Sequence, residues 1–366
     1  MRRLLLIAVA TAALAAAGCG PAPSPLAPLS GVTQVSAGPG HACAVLAGGA
    51  VKCRGDNEYG RLGSPLVSAP GYIDVPVPVN GLTGATQVVT GGWHTCALLT
   101  GGGVRCWGLG YSGQLGNGTN QSSSTPVSVV GLTGVTQLAA AGDATCALLS
   151  DGTVQCWGAN GVTTSTTPVA VSGVSGATQI TTQCAVVTAG AVKCWGENNF
   201  GQLGDGTTTP RAAAVDVVGV TGATSVAGPG TNCAVLAAGT VKCWGFGRQG
   251  QMGNGTNSDA NPIPVDVTGL SGVTNLAALG DVCALLGTGG IRCWGGNSFG
   301  ELGDGTTTDR NVPVAVVGIT NAAQVAPTCA TLTDTTVRCW GPNSKGQLGD
   351  GTYLSSSVPR TVLQGL

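Results

Sequence analysis

The chain is predicted to be all-β: a seven-bladed β-propeller of four-stranded antiparallel blades, with one disulfide in each blade. Three observations carry this. Two cysteines stand ten positions apart in seven places: Cys43 with Cys53, Cys96 with Cys106, Cys146 with Cys156, Cys184 with Cys194, Cys233 with Cys243, Cys283 with Cys293, and Cys329 with Cys339. The second cysteines follow one another at 53, 50, 38, 49, 50 and 46 residues, a period expected of blade repeats. Each repeat offers four short strand candidates, and beyond the N-terminus no stretch shows sustained helical periodicity. An open solenoid is the alternative, but the end repeats carry no polar caps.

The N-terminus comes first. Met1-Arg2-Arg3 is a basic start, and Leu4 to Ala17 is an apolar run of fourteen residues, too short to span a bilayer comfortably. It ends Ala16-Ala17-Gly18-Cys19, which resembles a bacterial lipoprotein signal over residues 1–18, cleaved before a lipidated Cys19. An ordinary secretory signal is the alternative. Fifteen cysteines make seven pairs plus one, and Cys19 is the one left over. Either signal takes the chain out of the cytoplasm, to the cell envelope or beyond it, where disulfides persist. Residues 19–30, rich in proline, read as a tether. The repeats then fall at about 31–81, 82–131, 132–173, 174–219, 220–269, 270–318 and 319–366.

Within a repeat, the first strand is rich in small residues, as in Thr136-Gln-Leu-Ala-Ala-Ala141, and suits the crowded axis. The second and third form a hairpin. In Cys146-Ala-Leu-Leu-Ser-Asp-Gly-Thr-Val-Gln-Cys156 the turn at 150–152 sets 149 against 153 and 146 against 156. Opposed cysteines on antiparallel strands are close enough for a disulfide. Structural zinc sites want cysteines two to four residues apart, and no Cys-x-x-Cys occurs. Each bridge contributes on the order of 2–3 kcal/mol. With only 4% aromatic residues, small aliphatic side chains and these bridges must hold the blades. The fourth strand is a Pro-Val-x-Val run, as in Pro126-Val-Ser-Val129, with proline at the start or edge of the strand.

Between the third and fourth strands lies a longer excursion, Glu197-Asn-Asn-Phe-Gly-Gln-Leu-Gly-Asp-Gly-Thr207 in its fullest form. The third repeat has lost it, hence the spacing of 38. Gly-x-x-His-x-Cys-Ala-Leu at Gly91 to Leu98, Gly-x-Val-x-Cys-Trp-Gly at Gly152 to Gly158, and this excursion together resemble the regulator of chromosome condensation repeat family. The resemblance covers about residues 31–366. It implies a seven-bladed propeller. The family includes an exchange factor for a nuclear GTPase, a plant ultraviolet-B receptor and secreted bacterial β-lactamase inhibitors. This chain departs from the cytosolic members in its cysteine pairs, its signal and its scarce histidines, of which only His41 and His94 precede a first cysteine. Nuclear exchange activity is not expected.

Several patterns look chemical and are better explained structurally. Gly108 to Gly113 and Gly245 to Gly250 match Gly-x-Gly-x-x-Gly, but no helix follows. Gly296-Asn-Ser298-Phe-Gly300 matches a nucleophile elbow, but its repeat has no histidine. Ser150-Asp151-Gly152-Thr153 faintly resembles an Asp-box turn. Asp205, Asp304 and Asp350 in Asp-Gly-Thr offer one acid per loop, too few for calcium, and read as turn formers. Neither cofactor nor metal is expected. A net charge of −1 gives no argument for nucleic acid or an anionic membrane, so the only membrane contact expected is the lipid anchor. Lys52, Arg105, Lys193, Lys242, Arg292 and Arg338 precede the second cysteine. They share a strand face with the Trp that follows in most repeats, so cation–π stacking between blades is expected, with a ligand-binding basic ring as the alternative.

All Phe and Tyr fall between third and fourth strands: Tyr59, Tyr72, Tyr111, Phe200, Phe246, Phe299 and Tyr353. In an up-down-up-down blade these connections share a face with the first turns, which carry Trp93 and His94. Tyr59, Trp93, His94, Tyr111, Phe200, Phe246, Phe299 and Tyr353 are therefore the candidate partner-binding residues, on loops held by a rigid scaffold. The alternative, of equal weight, is that the rings only pin loops to blades, as Leu115 and Leu203 do. The chain is expected to be a monomeric, non-enzymatic scaffold for a protein partner. A carbohydrate or cell-wall partner is the alternative, and a glycosidase or lyase a more distant one, because acid/base groups do not cluster.

Overall fold

The computed structural model describes residues 26–66 and 71–365. The signal at 1–18, lipidation of Cys19 and most of the tether lie outside the described residues. Among the described residues, no helix is long and apolar enough to cross a membrane.

Seven four-stranded antiparallel sheets follow one another along the chain. Blade 1 comprises β1 (Val32–Ala37), β2 (His41–Leu46), β3 (Val51–Asp56) and β4 (Tyr72–Pro78). Blades 2 to 7 repeat that order over 85–128, 135–170, 177–216, 223–266, 273–315 and 322–361. Every sheet uses four consecutive strands, so among the described residues no blade borrows a strand from the far end of the chain. Proline stands inside the outer strands, as Pro126 does in Ser123–Ser128, on the edge where its missing N–H costs no ladder bond.

The cysteine hairpins form as the spacing predicts. Leu149 N donates to Thr153 O at 2.9 Å, closing the turn over 150–152. The two cysteines of each blade are register partners on its second and third strands. Cys43 is bonded to Cys53, Cys96 to Cys106, Cys146 to Cys156 and Cys184 to Cys194, with Cα atoms 4.0–4.1 Å apart. Cys233 is bonded to Cys243, Cys283 to Cys293 and Cys329 to Cys339, each with Cα atoms 4.1 Å apart. All seven expected pairs are thus made. They point to folding in an oxidising compartment.

The core lies between blades. One cluster joins Val45, Val51, Leu62 and Val77 of blade 1 to Val88, Ala97 and Trp107 of blade 2, and the other junctions repeat the scheme. First strands of all seven blades line an axial cavity of about 230 Å³, as their small residues require. Near the axis, Gln34 Oε1 accepts from Val88 N at 2.9 Å and its Nε2 donates to Val88 O at 3.0 Å. Gln87, Gln137 and Gln179 reach Leu138, Ile180 and Val226 in the same way. A side-chain amide thus stands in for a strand edge across each of these junctions.

The ring closes where the chain ends meet. Leu29 N donates to Val362 O at 2.8 Å, and Gln364 N to Ala27 O at 2.7 Å. Leu29 is buried among residues of blades 7 and 1, so the end of the expected tether belongs to the packed ring.

Candidate functional site

The excursions build the face that carries the aromatic rings. In blade 4, Asn198 Oδ1 accepts from Leu203 N at 2.9 Å, while its Nδ2 donates to Thr207 O and Thr209 O, both at 3.1 Å. Asp205 Oδ1 accepts from the Thr207 amide and hydroxyl. Asn297 with Asp304, and Asn343 with Asp350, repeat the pattern. One asparagine ties the loop across its width and one aspartate makes its turn. Burial is the largest single influence on the Asp205 and Asp304 carboxyls and pushes them up. The hydrogen bonds from Thr207 and Thr306, with smaller contributions from Asn198, Asn297 and the nearby arginines, together outweigh it and hold both carboxyls below the usual range.

The loop then wedges between blades. Leu62, Leu115, Leu203, Met252, Leu302 and Leu348 are fully buried. The carbonyl just before each wedge receives the indole N–H of the next blade: Trp107 to Arg61 O at 2.9 Å, Trp157 to Gln114 O at 3.0 Å and Trp244 to Gln202 O at 2.9 Å. Trp294 and Trp340 do the same to Gln251 O and Glu301 O. Blade 1 has Arg54 at the Trp position, and its Nε donates to Gln347 O at 2.9 Å. Burial lowers the pKa of Arg54 to about 10, partly offset by Asp350. The glycine after each wedge cannot be replaced easily. Gly116 has φ +65°, and a Cβ there would sit 2.7 Å from Trp157 Nε1.

The two histidines join this network. Thr145 Oγ1 donates to Gln114 O, so it accepts from His94 Nε2 at 2.7 Å. Thr95, which donates to Arg61 O, takes His41 Nε2 at 2.8 Å in the same way. Both rings are fully buried, with Nδ1 unbonded among the described residues, which favours the neutral form. Burial lowers His94 to about 4 and His41 well below its ordinary value, with Arg61 adding to the shift at His41. His94 therefore ties two blades together and is not available to a partner. In blade 6, Asp281 takes the histidine position. Burial, then the nearby Glu301 carboxylate, holds its pKa well above the usual range.

Several of the exposed rings gather in one sector. Tyr59 of blade 1 meets Trp93 of blade 2 edge-on at 6.3 Å and Tyr111 at 5.8 Å. Arg61 lies over Trp93 at 4.3 Å, and Lys345 of blade 7 stands 5.6 Å from the rings of Trp93 and Tyr72. Tyr353 donates to Tyr72 O at 3.3 Å. Asp56, buried beneath, pairs with Arg61 at 2.9 Å and with Lys345. Arg61, Trp93 and Lys345 help line a cavity of about 200 Å³. Tyr59, Trp93 and Tyr111 are 37%, 38% and 64% exposed, enough to meet another molecule.

The remaining candidates do not join that group. Phe200 packs edge-on with Phe246 at 5.2 Å on blades 4 and 5, and Phe246 is half-buried within a strand. Phe299 is exposed on blade 6. The expected stacking of Lys and Arg on the strand Trp does not occur among the described residues. The Trp side chains are buried in the junction with the preceding blade, whereas Lys193 and Lys242 pair with Asp216 and Asp266 of their own outer strands at 2.7 and 2.9 Å. The interblade glutamines carry no motif that marks their role, although Thr-Gln recurs at 33–34, 86–87, 136–137 and 178–179.

Two models of the regulator of chromosome condensation (RCC1) repeat match the chain, one at residues 32–61, 85–114 and 135–162, the other at 49–98, 101–148 and 238–285. No curated protein matches by sequence. Among solved structures, Prp20p from Saccharomyces cerevisiae is 20% identical, with a TM-score of 0.74 over 85% of each chain. Human WBSCR16 is 23% identical, with a TM-score of 0.71 over 81% of this chain and 84% of its own. Yeast RCC1 (Prp20) bound to Kap60 is 18% identical, with a TM-score of 0.74 over 97% and 91%. At these identities the likeness concerns the fold. Repeats matched by their own models, on seven blades of that architecture, make this chain a propeller of regulator of chromosome condensation repeats.

Proposed function

We propose that the chain is a non-enzymatic, extracytoplasmic scaffold, anchored through Cys19, that holds a protein partner against its aromatic face. One observation carries this reading: Tyr59, Trp93 and Tyr111, from two blades, make a contiguous exposed group beside Lys345 of a third. Aromatic rings beside a cation are the residue types that dominate protein-binding hot spots. The group rests on a buried ion pair and on wedged loops, so little ordering opposes binding. The fold relatives are themselves described with protein partners: Prp20p with Gsp1p and histones, and yeast RCC1 with Kap60. The titratable groups beneath the face are already engaged, Asp56 with two cations and the histidines between blades. That favours recognition over acid–base chemistry.

Cross-linking on intact cells, with identification of the attached species, tests the reading. Changing Tyr59, Trp93 and Tyr111 together to Ala should lower capture at least tenfold while all seven disulfides still form. Undiminished capture removes the face from consideration. Capture of a glycan in place of a protein, lost in the same variant, moves the assignment to carbohydrate.

A further inference from the structure

The blade that lost its excursion leaves a gap that the rest of the molecule defines. Six junctions are filled by a loop from the preceding blade: a buried Leu or Met, and a carbonyl that in five of them receives the next indole N–H. Blade 3 joins its third and fourth strands by only residues 160–163. At its junction with blade 4, Trp195 is 1% exposed and its indole N–H has no acceptor among the described residues. The hydrophobic cluster there contains no described wedge residue. In its place is a cavity of about 360 Å³, lined by Cys156, Trp157, Asn160, Val169, Val171 and Trp195 among others. Val169, the register partner of Cys156, is 54% exposed, whereas the corresponding Val77 of blade 1 is buried at 3%.

We infer that this cavity is a docking site for a loop of a partner protein that presents a backbone carbonyl followed by Leu, as Gly-Gln-Leu-Gly does within this chain. The unpartnered N–H, buried at the base of the seam and reached as the seam widens, calls for an acceptor, and the apolar walls call for an aliphatic side chain. The other junctions show both needs met by two consecutive residues of one loop. Asn160 also lines an adjoining cavity of about 430 Å³ with Asp143, Gln183 and Glu197, which would receive the flanking residues of such a loop. A second copy of this chain cannot supply it, because its own wedges are fully buried. The site is separate from the aromatic sector and stands whether or not that sector binds anything.

The probe is the peptide Asn-Asn-Phe-Gly-Gln-Leu-Gly-Asp-Gly-Thr, which copies residues 198–207. Added at millimolar concentration to the folded protein labelled with nitrogen-15, it should shift one indole N–H resonance downfield. That resonance is Trp195 if it is missing from the Trp195→Phe variant. The same variant should bind the peptide about three- to tenfold more weakly, the loss expected for one hydrogen bond. A peptide carrying the equivalent of Leu203→Asp should produce no shift. If the Trp195 resonance stays in place, or both peptides move it equally, the proposal is overturned. Sequential and nuclear Overhauser assignment of the unaltered protein also identifies the Trp195 indole, so misfolding of Trp195→Phe cannot obscure the result. The variant with Ala at Tyr59, Trp93 and Tyr111 should keep the shift, so failure here and failure of the aromatic-face reading are told apart.

Discussion

Blade 3 meets its two neighbours differently. On the blade 2 side, Leu115 fills the seam, Gln114 O accepts from Trp157, and Thr145 joins the same carbonyl to His94. Both lone pairs of one carbonyl are used. On the blade 4 side, Trp195 occupies the equivalent place with none of these partners. The disulfide and the indole are alike on both sides; on the blade 4 side the loop is missing, and the first two strands, Ala177–Ile180 and Cys184–Val187, are shorter. The excursion therefore has two roles. Its inner half completes the interblade core, and its outer half carries the rings that face solvent.

The largest test is to make the complete side resemble the open one. Leu115→Ala should destabilise the fold by about 2–5 kcal/mol in urea unfolding, because a fully buried Leu leaves a cavity between stiff sheets. A loss below about 1 kcal/mol would mean the wedge is dispensable. Acid should act next, through the histidine-bearing junctions. His94 titrates near 4 when folded against about 6.5 unfolded, so its contribution is complete above pH 6.5 and declines as pH falls towards 4. At about 1.4 kcal/mol per unit, that is up to roughly 3 kcal/mol. His41 acts in the same direction, and Asp281 in the opposite one, losing stability as pH rises above about 4. The informative quantity is therefore the difference between the native chain and His94→Gln in unfolding from pH 7 to 4, which should show a shallower acid slope in the variant.

A finer test compares the two indoles. Trp157→Phe should cost about 1 kcal/mol more than Trp195→Phe, since only the first gives up an indole hydrogen bond. Equal losses in denaturant titration would show that Trp195 finds an acceptor in solution. The smallest effect concerns chemistry at the open seam. Cys156 is 8% exposed, while the other bridged cysteines are at 0–1%. A small phosphine acting on the native protein should cleave the bridge between Cys146 and Cys156 before any other, as read by alkylation and mass spectrometry.

The architecture is legible because it is written seven times over. Cysteines ten apart on a hairpin oppose one another, and the recurring period counts the blades. The missing excursion of blade 3 shows, together with the shorter inner hairpin of blade 4, as the short spacing of 38, and the aspartates of Asp-Gly-Thr are the turn formers their context suggests. What stays hidden is what passes between repeats. The acceptor for each Trp is a main-chain carbonyl, which leaves no signature in residue type. His94 eludes the sequence for the same reason: its motif gives its position on the strand, but burial depends on Thr145, 51 residues on. A shared face for Tyr59, Trp93 and Tyr111 follows from strand order alone. Their direct contact, and the cation from blade 7, depend on how the ring closes.

That closure has a topological corollary. Pro28 and Leu363 are bridge partners, and each sheet is contiguous in sequence, so the ring can be opened elsewhere without dividing a sheet between the two ends. A circular permutant that fuses 27 to 364 through a short linker and opens the backbone between 218 and 219, in the link from blade 4 to blade 5, would trace the same seven sheets.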